Sequence, residues 1–443
     1  MRSTASLRAA CALSYYILVT YIAVACAYCI LSYLPLSVTR RFLDTKLPDL
    51  EKADVWGEDL IFWEPSSFLS SAFVSHTRHA TPESLFLSKA FSHSMRPNRV
   101  IPFYFKASGP SMDGTLAKED ITLLTIVTSN RFSVLGRLAK RYQGPISVAL
   151  HVTESPRAHR DRILDELHEL YLSTPGMSKW VDVHLILDNF DRQFNMWRNA
   201  ARLFARTNYV MMLDVDFAVC TGFRQRLLAS KEMMGMLRAG DAAFVVPAFE
   251  YVVAEDGGNE ASFPRTKERL RRLHDAGKIQ VFHQAWEGGH NSSDYSRYFQ
   301  AAPGDVYKVH AYQHAYEPYV IFKRDSAPWC DERFIGYGGN KASCLYEMYL
   351  AGISFYVLSD DFLIHQSHLY AEDVRKAERK YNRQLYTEFR MEACFRALHR
   401  SIVTKELTTQ KGLNVQAECQ KVRGASSLAI EVTLSNLSVR FSD

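Results

Sequence analysis

The pattern of apolar and polar residues predicts a domain of alternating strands and helices from Asp120 onward. Short β-branched runs alternate there with segments that have the 3.6-residue spacing of amphipathic helices. The predicted strands are 121–127, 146–152, 181–187 and 209–213, and the predicted helices are 131–142, 157–172 and 195–206. Strands and helices that alternate in this way pair in parallel through right-handed crossovers. The pattern therefore predicts an α/β fold with a parallel sheet.

The beginning of the chain has a different pattern. No charged residue occurs between Arg8 and Arg40, and 9–34 consists of apolar and aromatic residues with scattered Ser and Thr. A helix of that length is roughly 39 Å long, enough to cross a hydrocarbon core of about 30 Å. The alternative is a cleaved signal peptide, whose apolar region is usually only about 7–15 residues long. We therefore predict an uncleaved transmembrane signal anchor at 9–37, although the flanking arginines balance and do not set its orientation.

The segment that joins the anchor to the α/β pattern has the composition of a stem. Residues 38–118 contain six of the fifteen prolines and many serines, with aromatic residues interspersed. We interpret this segment as a stem that partly packs on the domain it carries. The enzyme domain is then expected at 119–404, followed by a C-terminal tail at 405–443 to which no function is assigned.

Composition excludes several classes of protein. In the 443 residues, 47% hydrophobic and 23% charged residues are globular values, and a net charge of +5 is too small to indicate nucleic-acid binding. Sequons at 291–293 and 436–438 are weak signs of a lumenal location. None of the five cysteines outside the predicted anchor forms a CxxC pair, so a zinc ribbon is not expected, and an odd lumenal number of cysteines leaves a free thiol or an intermolecular bridge. The sequence does not determine the pairing among five cysteines, which are Cys220, Cys330, Cys344, Cys394 and Cys419.

The candidate chemistry lies at the end of the fourth predicted strand, where Asp214-Val215-Asp216 occurs. In parallel sheets, ligands bind outside the carboxyl ends of the strands. Alternate strand residues point to the same side, so the two carboxylates could hold Mg²⁺ or Mn²⁺, directly or through water, against a pyrophosphate. An Asp-x-Asp triplet arises by chance about once in a chain of this length, and acidic pairs often cap strand ends. Its position after an apolar strand favours a metal site for sugar transfer from a nucleotide sugar.

The chain from about 120 to 390 resembles the family-49 glycosyltransferases, which include the glucuronyltransferase half of the LARGE-type enzymes and the related β-1,4-glucuronyltransferase. The matching motifs occur in order along some three-fifths of the chain, and their combination is far more specific than any one of them. They are Asp120-Ile-Thr-Leu, Gly144-Pro-Ile-Ser, Asn195 with Arg198-Asn199, Leu213-Asp-Val-Asp-Phe217, Pro247-Ala-Phe-Glu250, Gly289-His290, Glu317-Pro-Tyr319, Asp331-Glu-Arg-Phe334 and Ile364-His365.

The resemblance implies a GT-A-type, Rossmann-like nucleotide-sugar transferase domain behind a single N-terminal transmembrane helix. It implies type II topology in the Golgi membrane, with 1–8 as a cytoplasmic tail and a lumenal catalytic domain. The implied reaction is an inverting transfer of glucuronic acid from UDP-glucuronate, with Mn²⁺ or Mg²⁺, to a glycan or glycoprotein acceptor. No nucleic-acid partner is expected.

The matched motifs also imply roles for single residues. Asp214 and Asp216 match the metal pair, and His365 matches the histidine that completes it, with His368 as a second candidate. Arg198 and Lys341 are the candidate cations for the glucuronate carboxylate. Asn199 and His290 are assigned to the donor site as well. The general base is either Asp331 or Glu317, and the sequence does not choose between them.

One departure from the family pattern and two alternatives to a transferase remain. Gly339 stands where the family usually has an aromatic residue, so the donor or the acceptor could differ. The chain has no room for the extra xylosyltransferase domain of the LARGE-type enzymes, so alternating polymer synthesis is not expected. A catalytically inactive, membrane-anchored glycan-binding protein is one alternative. A metallohydrolase is another, although no H-E-x-x-H motif occurs. Its candidate ligands are His283, His290, His310, His314, His365 and His368.

Overall fold

The apolar runs of the sequence form the strands of a mixed β-sheet with helices on both faces. A computed structural model describes residues 99–111, 115–368, 372–430 and 432, all within one compact unit of the chain. The predicted anchor at 9–37 and most of the predicted stem lie outside these residues. Within the described ranges, no helix combines the length and the apolar character that crossing a membrane requires.

Thirteen strands and twelve α-helices form the described part of the chain. The strands are β1 Arg99–Phe105, β2 Ile121–Val127, β3 Ile146–Val152, β4 Val181–Leu187, β5 Tyr209–Met212, β6 Phe217–Val219, β7 Ala242–Val246, β8 Ala248–Tyr251, β9 Ile279–Val281, β10 Val306–Lys308, β11 Tyr319–Lys323, β12 Ser354–Leu358 and β13 Leu363–His365. The helices are α1 Phe132–Tyr142, α2 Arg157–Ser173, α3 Met177–Trp180, α4 Phe194–Leu203, α5 Phe223–Ala229, α6 Lys231–Ala239, α7 Lys267–Asp275, α8 Glu287–His290, α9 Tyr295–Gln300, α10 Asn340–Leu350, α11 Glu372–Val403 and α12 Gln410–Cys419.

The larger sheet has nine strands in the order β1-β4-β3-β2-β5-β11-β7-β12-β10. The four predicted strands, β2 to β5, pair in parallel as expected. The sheet as a whole is mixed, because β11 pairs antiparallel with both β5 and β7. β1 pairs antiparallel with β4, so residues 99–105, which we assigned to the stem, form an edge strand of the sheet.

Alternation along each strand supplies the two apolar layers that cover the larger sheet. Neighbouring residues of β2 lie in different core clusters, Leu123 in one and Leu124 in the other, because successive side chains point to opposite faces. Helix α4 packs on β2 and β3 from the side of Leu124. Burial on both faces explains why these strands read as continuous apolar runs.

A smaller sheet, ordered β6-β13-β8-β9, begins directly after the Asp-x-Asp segment and contains the predicted histidine His365. Phe217 of β6 lies opposite His365 of β13, and His365 in turn lies beside Glu250 of β8. This register brings residues some 150 positions apart in sequence next to each other.

The C-terminal helices form a third core cluster with α10. α11 packs against α10 and α12, and a disulfide joins Cys394 of α11 to Cys419 of α12. The packed core therefore continues beyond residue 404, where we predicted the domain to end. A second disulfide joins Cys330 and Cys344, and Cys220 is buried and free, which agrees with the odd thiol expected from the sequence.

The loop before α10 needs glycine because α11 lies directly against it. Gly336, Gly338 and Gly339 all have positive φ, the left-handed region that favours glycine. A Cβ at Gly336 would lie 2.3 Å from the carboxyl carbon of Glu378 on α11. The side-chain amide of Asn382, also on α11, donates to the carbonyls of Ile335 and Tyr337 at 2.8 and 2.9 Å.

Gly336→Ala should lower the free energy of unfolding by about 2–4 kcal/mol, because the new Cβ meets Glu378 and forces a left-handed φ on alanine. Gly235→Ala is the matched control, since no heavy atom lies within 4 Å of its Cβ position inside α6. We expect the control to gain about 0.5–1 kcal/mol from helix propensity. Equilibrium urea unfolding of both variants measures the difference, and equal stabilities would show that α11 does not constrain the loop.

Candidate active site

The Asp-x-Asp segment forms a turn between the two sheets rather than the end of a straight strand. β5 ends at Met212, and the amide of Phe217 donates to the carbonyl of Asp214 at 3.1 Å to close the turn. The two carboxylates therefore have separate partners. The position outside the carboxyl end of a parallel strand is the one predicted from the sequence.

Asp214 is held by three donors from the protein itself. Its Oδ2 accepts from Lys341 Nζ at 2.6 Å and from the Tyr319 hydroxyl at 3.0 Å. Its Oδ1 lies 3.5 Å from a guanidinium nitrogen of Arg198. Burial alone would raise the pKa of Asp214, but Lys341 and Arg198 hold it below its ordinary value. Asp214 is thus an ionised carboxylate at neutral pH.

Both cations make further contacts besides the one with Asp214. Arg198 on α4 donates from one nitrogen to the side-chain oxygens of Asn195 at 2.9 Å and Asn340 at 2.7 Å. The Lys341 ammonium lies 4.0 Å from the centre of the Tyr319 ring, in a cation–π contact. The structure therefore brings the two predicted cations together with Asp214, at a cluster that joins β5, α4 and α10.

Asp216 belongs to a different group. Its Oδ2 lies 2.8 Å from His368 Nε2 and 3.6 Å from His365 Nε2, and one ligand atom from each residue falls within 4.8 Å of the others. Burial would raise the pKa of Asp216, but hydrogen bonds and charge from the two imidazoles hold it far below its usual range. The rings of Phe217 and Phe282 pack against His365 and exclude water from its far side.

The donor set of Asp216, His365 and His368 fits a divalent transition metal. One carboxylate and two imidazoles would occupy three positions and leave the others open for ligand oxygens. Imidazole is a poor ligand for Mg²⁺, which prefers oxygen, so this set fits Mn²⁺ better. His368, which we placed second to His365, has the shorter distance to the carboxylate. Among the described residues, His310 and His314 join no such group.

His290 and His283 are the two uncharged imidazoles near this cluster. Burial, then the charge of Lys341, lowers the pKa of His290 to about 3. Burial, then the neighbouring His365 and Lys341, lowers the pKa of His283 to about 4. The imidazole of His290 is nearly parallel to the Tyr319 ring, with their centres 6.4 Å apart. At neutral pH both imidazoles are uncharged and can accept a hydrogen bond.

The two predicted bases differ in what surrounds them. A carboxylate oxygen of Glu317 accepts from the amide of Ala342 at 3.3 Å, and burial raises the pKa of Glu317 in spite of Lys341 and Arg198. The buried Asp331 binds Arg333 through both of its oxygens, at 2.7–3.1 Å.

Arg333 itself continues to Glu392 on α11, at 2.7 and 3.0 Å. The carboxylate of Asp331 is therefore occupied by a structural ion pair. Glu317 is instead a neighbour of the cluster around Asp214 and has the basicity that a proton acceptor needs.

Asn199 makes a structural contact. Its side-chain amide donates to the Cys330 carbonyl and to Glu332, both at 2.9 Å, and its oxygen accepts from the Cys330 amide at 3.0 Å. These bonds position the segment that leads to Asp331, next to the disulfide of Cys330 and Cys344. The role of Asn199 in binding the donor stays a prediction.

Tyr319 is the site residue to which the sequence assigned no role. It stands in a matched motif, yet a tyrosine at the start of an apolar strand reads as a core residue, and the Tyr319 side chain is indeed almost fully buried. Only the pairing of β11 with β5 places its hydroxyl on Asp214. The sequence offered one clue, because the hydroxyl of a buried tyrosine usually has a hydrogen-bond partner.

Comparison with known proteins identifies a family. The sequence model of a family described as "Glycosyl-transferase for dystroglycan" matches residues 120–194 and 187–396, together more than half of the chain. "Xylosyl- and glucuronyltransferase LARGE2" of Rattus norvegicus is 34% identical over 263 residues, which is 58% of this chain and 36% of the relative. "Xylosyl- and glucuronyltransferase LARGE1" of Homo sapiens is 28% identical over 271 residues, 60% of this chain and 33% of the relative.

The chain thus spans about a third of the length of these curated relatives. A solved structure titled "Crystal structure of GalNAc-T7 with UDP, GalNAc and Mn2+" is 14% identical and covers 56% of this chain and 44% of its own, with a TM-score of 0.33. At that score the similarity supports no argument about the site.

Asp216→Asn should weaken binding of Mn²⁺ by at least about ten-fold, and His368→Ala should do the same, because each removes a ligand. Asp214→Asn should change it by less than about three-fold, since the protein's own cations already bind Asp214. Electron paramagnetic resonance counts free and bound Mn²⁺ directly, and His310→Ala is the control outside the group. If Asp214→Asn weakens binding as much as Asp216→Asn, the ion lies between the two carboxylates.

Proposed function

The chain belongs to this glycosyltransferase family, and we propose that it transfers a sugar from a UDP-sugar to a hydroxyl of a glycan acceptor with inversion. The single observation that carries the proposal is the cluster at the carboxyl end of β5. There, an ionised Asp214 paired with two cations adjoins a metal-binding group of one carboxylate and two imidazoles. We propose that the mixed sheet is a GT-A arrangement and that the donor lies across this edge.

Glucuronic acid is the donor sugar that best matches the charges of the site. Lys341 and Arg198 are two cations with side chains only 10% exposed, and both ion-pair with Asp214. Ammonium and guanidinium groups bind carboxylates and phosphates, so this pair can also bind an anion of the donor, the carboxylate of the sugar or a phosphate of the nucleotide. Arg198 is bound by Asn195 and Asn340, so Lys341, with its flexible stem, is the better candidate to move onto the donor.

The metal that fits the Asp216 group, Mn²⁺ rather than Mg²⁺, would offset the negative charge on the leaving nucleoside diphosphate. The residues of the chain supply the rest. Asp216, His365 and His368 would hold the metal ion in place. Asp214 orients Lys341 towards the same carboxyl end of β5. His290 offers a neutral acceptor for a sugar hydroxyl.

Glu317 is the proposed general base. The acceptor oxygen attacks the anomeric carbon and transfers its proton to the Glu317 carboxylate. The bond from that carbon to the diphosphate breaks, and UDP leaves with the electron pair. Attack opposite the leaving group inverts the anomeric centre. The raised pKa of Glu317 makes its carboxylate a stronger proton acceptor than an exposed glutamate.

The Golgi lumen is the proposed location, with the chain anchored as a type II membrane protein by the segment predicted at 9–37. Two disulfides, Cys330–Cys344 and Cys394–Cys419, support an oxidising compartment. The family's description names dystroglycan, so we propose the glycans of such a glycoprotein as the acceptor class.

A panel of UDP-sugars tests the proposed function. With Mn²⁺ and a mixture of glycan acceptors, UDP should be released fastest from UDP-glucuronate, and Asp216→Asn should lower the rate by at least about 10²-fold. If UDP is released faster from another UDP-sugar, that sugar is the donor instead of glucuronic acid. If no UDP-sugar turns over, and the Asp216→Asn protein behaves identically, the chain is a glycan-binding protein without catalysis.

Glu317→Gln should lower transfer by about 10²–10⁴-fold while binding of UDP-glucuronate stays within about two-fold. Glu317 accepts a proton only when ionised, and burial raises its pKa above the ordinary 4.5. The rate should therefore rise with pH through a limb above pH 4.5, and the residual rate of the variant should lack that limb. Asp331→Asn is the comparison, and loss of the same limb in that variant would reassign the base.

A further inference from the structure

An exposed indole lies beside the proposed base. Trp286 is 47% exposed and is the one tryptophan among the exposed large hydrophobic residues of the described chain. An indole combines a large apolar face with a polar N–H, so an exposed tryptophan is suited to a binding surface. Its neighbours in the fold indicate what that surface would bind.

The Trp286 ring lies close to the backbone of the turn that contains Gly288 and Gly289. A Cβ at Gly289 would lie 3.2 Å from the six-membered part of the indole, and a Cβ at Gly288 would lie 3.4 Å from its nitrogen. The same Cβ at Gly288 would lie 3.5 Å from Ala315. Larger side chains at these glycines would push the ring away, so the two glycines keep the indole close to the backbone.

This turn is joined directly to the segment of the proposed base. The amide of Glu317 donates to the carbonyl of Gly289 at 2.8 Å, and the amide of Gly289 donates to the carbonyl of Trp286 at 3.1 Å. Two hydrogen bonds therefore connect the backbone that carries the indole to the backbone that carries the carboxylate. The backbone segments that carry the ring and the carboxylate are therefore held next to each other.

Two further rings meet at His314, the residue before Ala315. The imidazole of His314, which is exposed, is roughly parallel to the Tyr386 ring, with centres 6.2 Å apart and an angle of 24° between the planes. The Tyr386 hydroxyl donates to the His314 carbonyl. A Cβ at Gly339 would lie 3.4 Å from the Tyr386 ring, so these rings border the loop that leads to Lys341.

We infer that Trp286, His314 and Tyr386 form the acceptor-binding surface, and that the apolar face of a pyranose ring of the acceptor glycan stacks on the Trp286 indole. A pyranose presents carbon-bound hydrogens on its faces and hydroxyls on its rim, so one face packs on an aromatic ring while a rim hydroxyl reaches a carboxylate. Glu317 lies on the segment next to the indole and takes that hydroxyl's proton. This inference rests on the proposed function and names the part of the site that binds the acceptor.

The test compares acceptor kinetics with donor hydrolysis. The probes are UDP-glucuronate and a panel of methyl β-pyranosides, which carry no aromatic ring of their own. Trp286→Ala should raise the KM for the acceptor by about ten-fold, the effect of losing an aromatic contact. Its release of UDP without an acceptor, and its KM for UDP-glucuronate, should stay within about two-fold of the wild type. Trp286→Phe should recover most of the acceptor affinity, because it keeps a flat ring.

Leu172→Ala is the matched control, since Leu172 is an exposed apolar residue, 68% exposed, on another element. It should leave every constant unchanged. Quenching of tryptophan fluorescence by the best pyranoside should disappear in Trp286→Ala, which reports binding without catalysis.

The outcomes separate the two proposals. An unchanged KM for the acceptor in Trp286→Ala overturns the inference while the proposed function stands. A parallel fall in donor hydrolysis also overturns it, because the indole then only supports the loop. Absence of UDP release by the wild type with every UDP-sugar overturns the proposed function itself.

Discussion

The ion pairing of Asp214 with Lys341 and Arg198 is the interaction on which the rest of the site depends. The three charges come from the end of β5, the first turn of α10 and the body of α4, so the cluster forms only when all three elements are in place. Removing Lys341 or Arg198 would leave the negative charge of Asp214 with one cation fewer to offset it, in a site where both cations are only 10% exposed. The fold must therefore position Lys341 accurately before any ligand binds.

Several features far from the Asp214 carboxylate help to position Lys341. Gly336 and Gly339 allow the loop to pass under α11 and turn into α10, and Asn382 holds the loop by two of its carbonyls. The disulfide Cys330–Cys344 ties the beginning of this segment to the second turn of α10. The C-terminal helices are thus part of the site's support, which explains why the packed core runs past the domain end predicted at 404.

Local sequence signals predicted β2 to β5 within a residue or two, because strands buried on both faces carry a continuous apolar run that needs no distant partner to recognise. They also placed Asp214 and Asp216 correctly at a strand end. They could not separate the roles of the two carboxylates, because those roles depend on Tyr319 and His368, which long-range pairing brings to the turn. The boundary at 404 failed for a similar reason, since the helix that continues the core is anchored by a disulfide.

The glycine at 339 shows how the acceptor side could change while the charged side stays constant. With φ of 70°, position 339 caps α10 in a conformation that an aromatic residue would adopt only under strain. The Tyr386 ring from α11 packs against it instead. An aromatic surface is therefore still present at this point of the fold, but α11 supplies it. In the proposed site, the donor would be bound by the charges around Asp214, whereas the acceptor would meet rings from separate loops and helices. Substitution among those rings would alter the choice of acceptor without disturbing the pairing of Asp214.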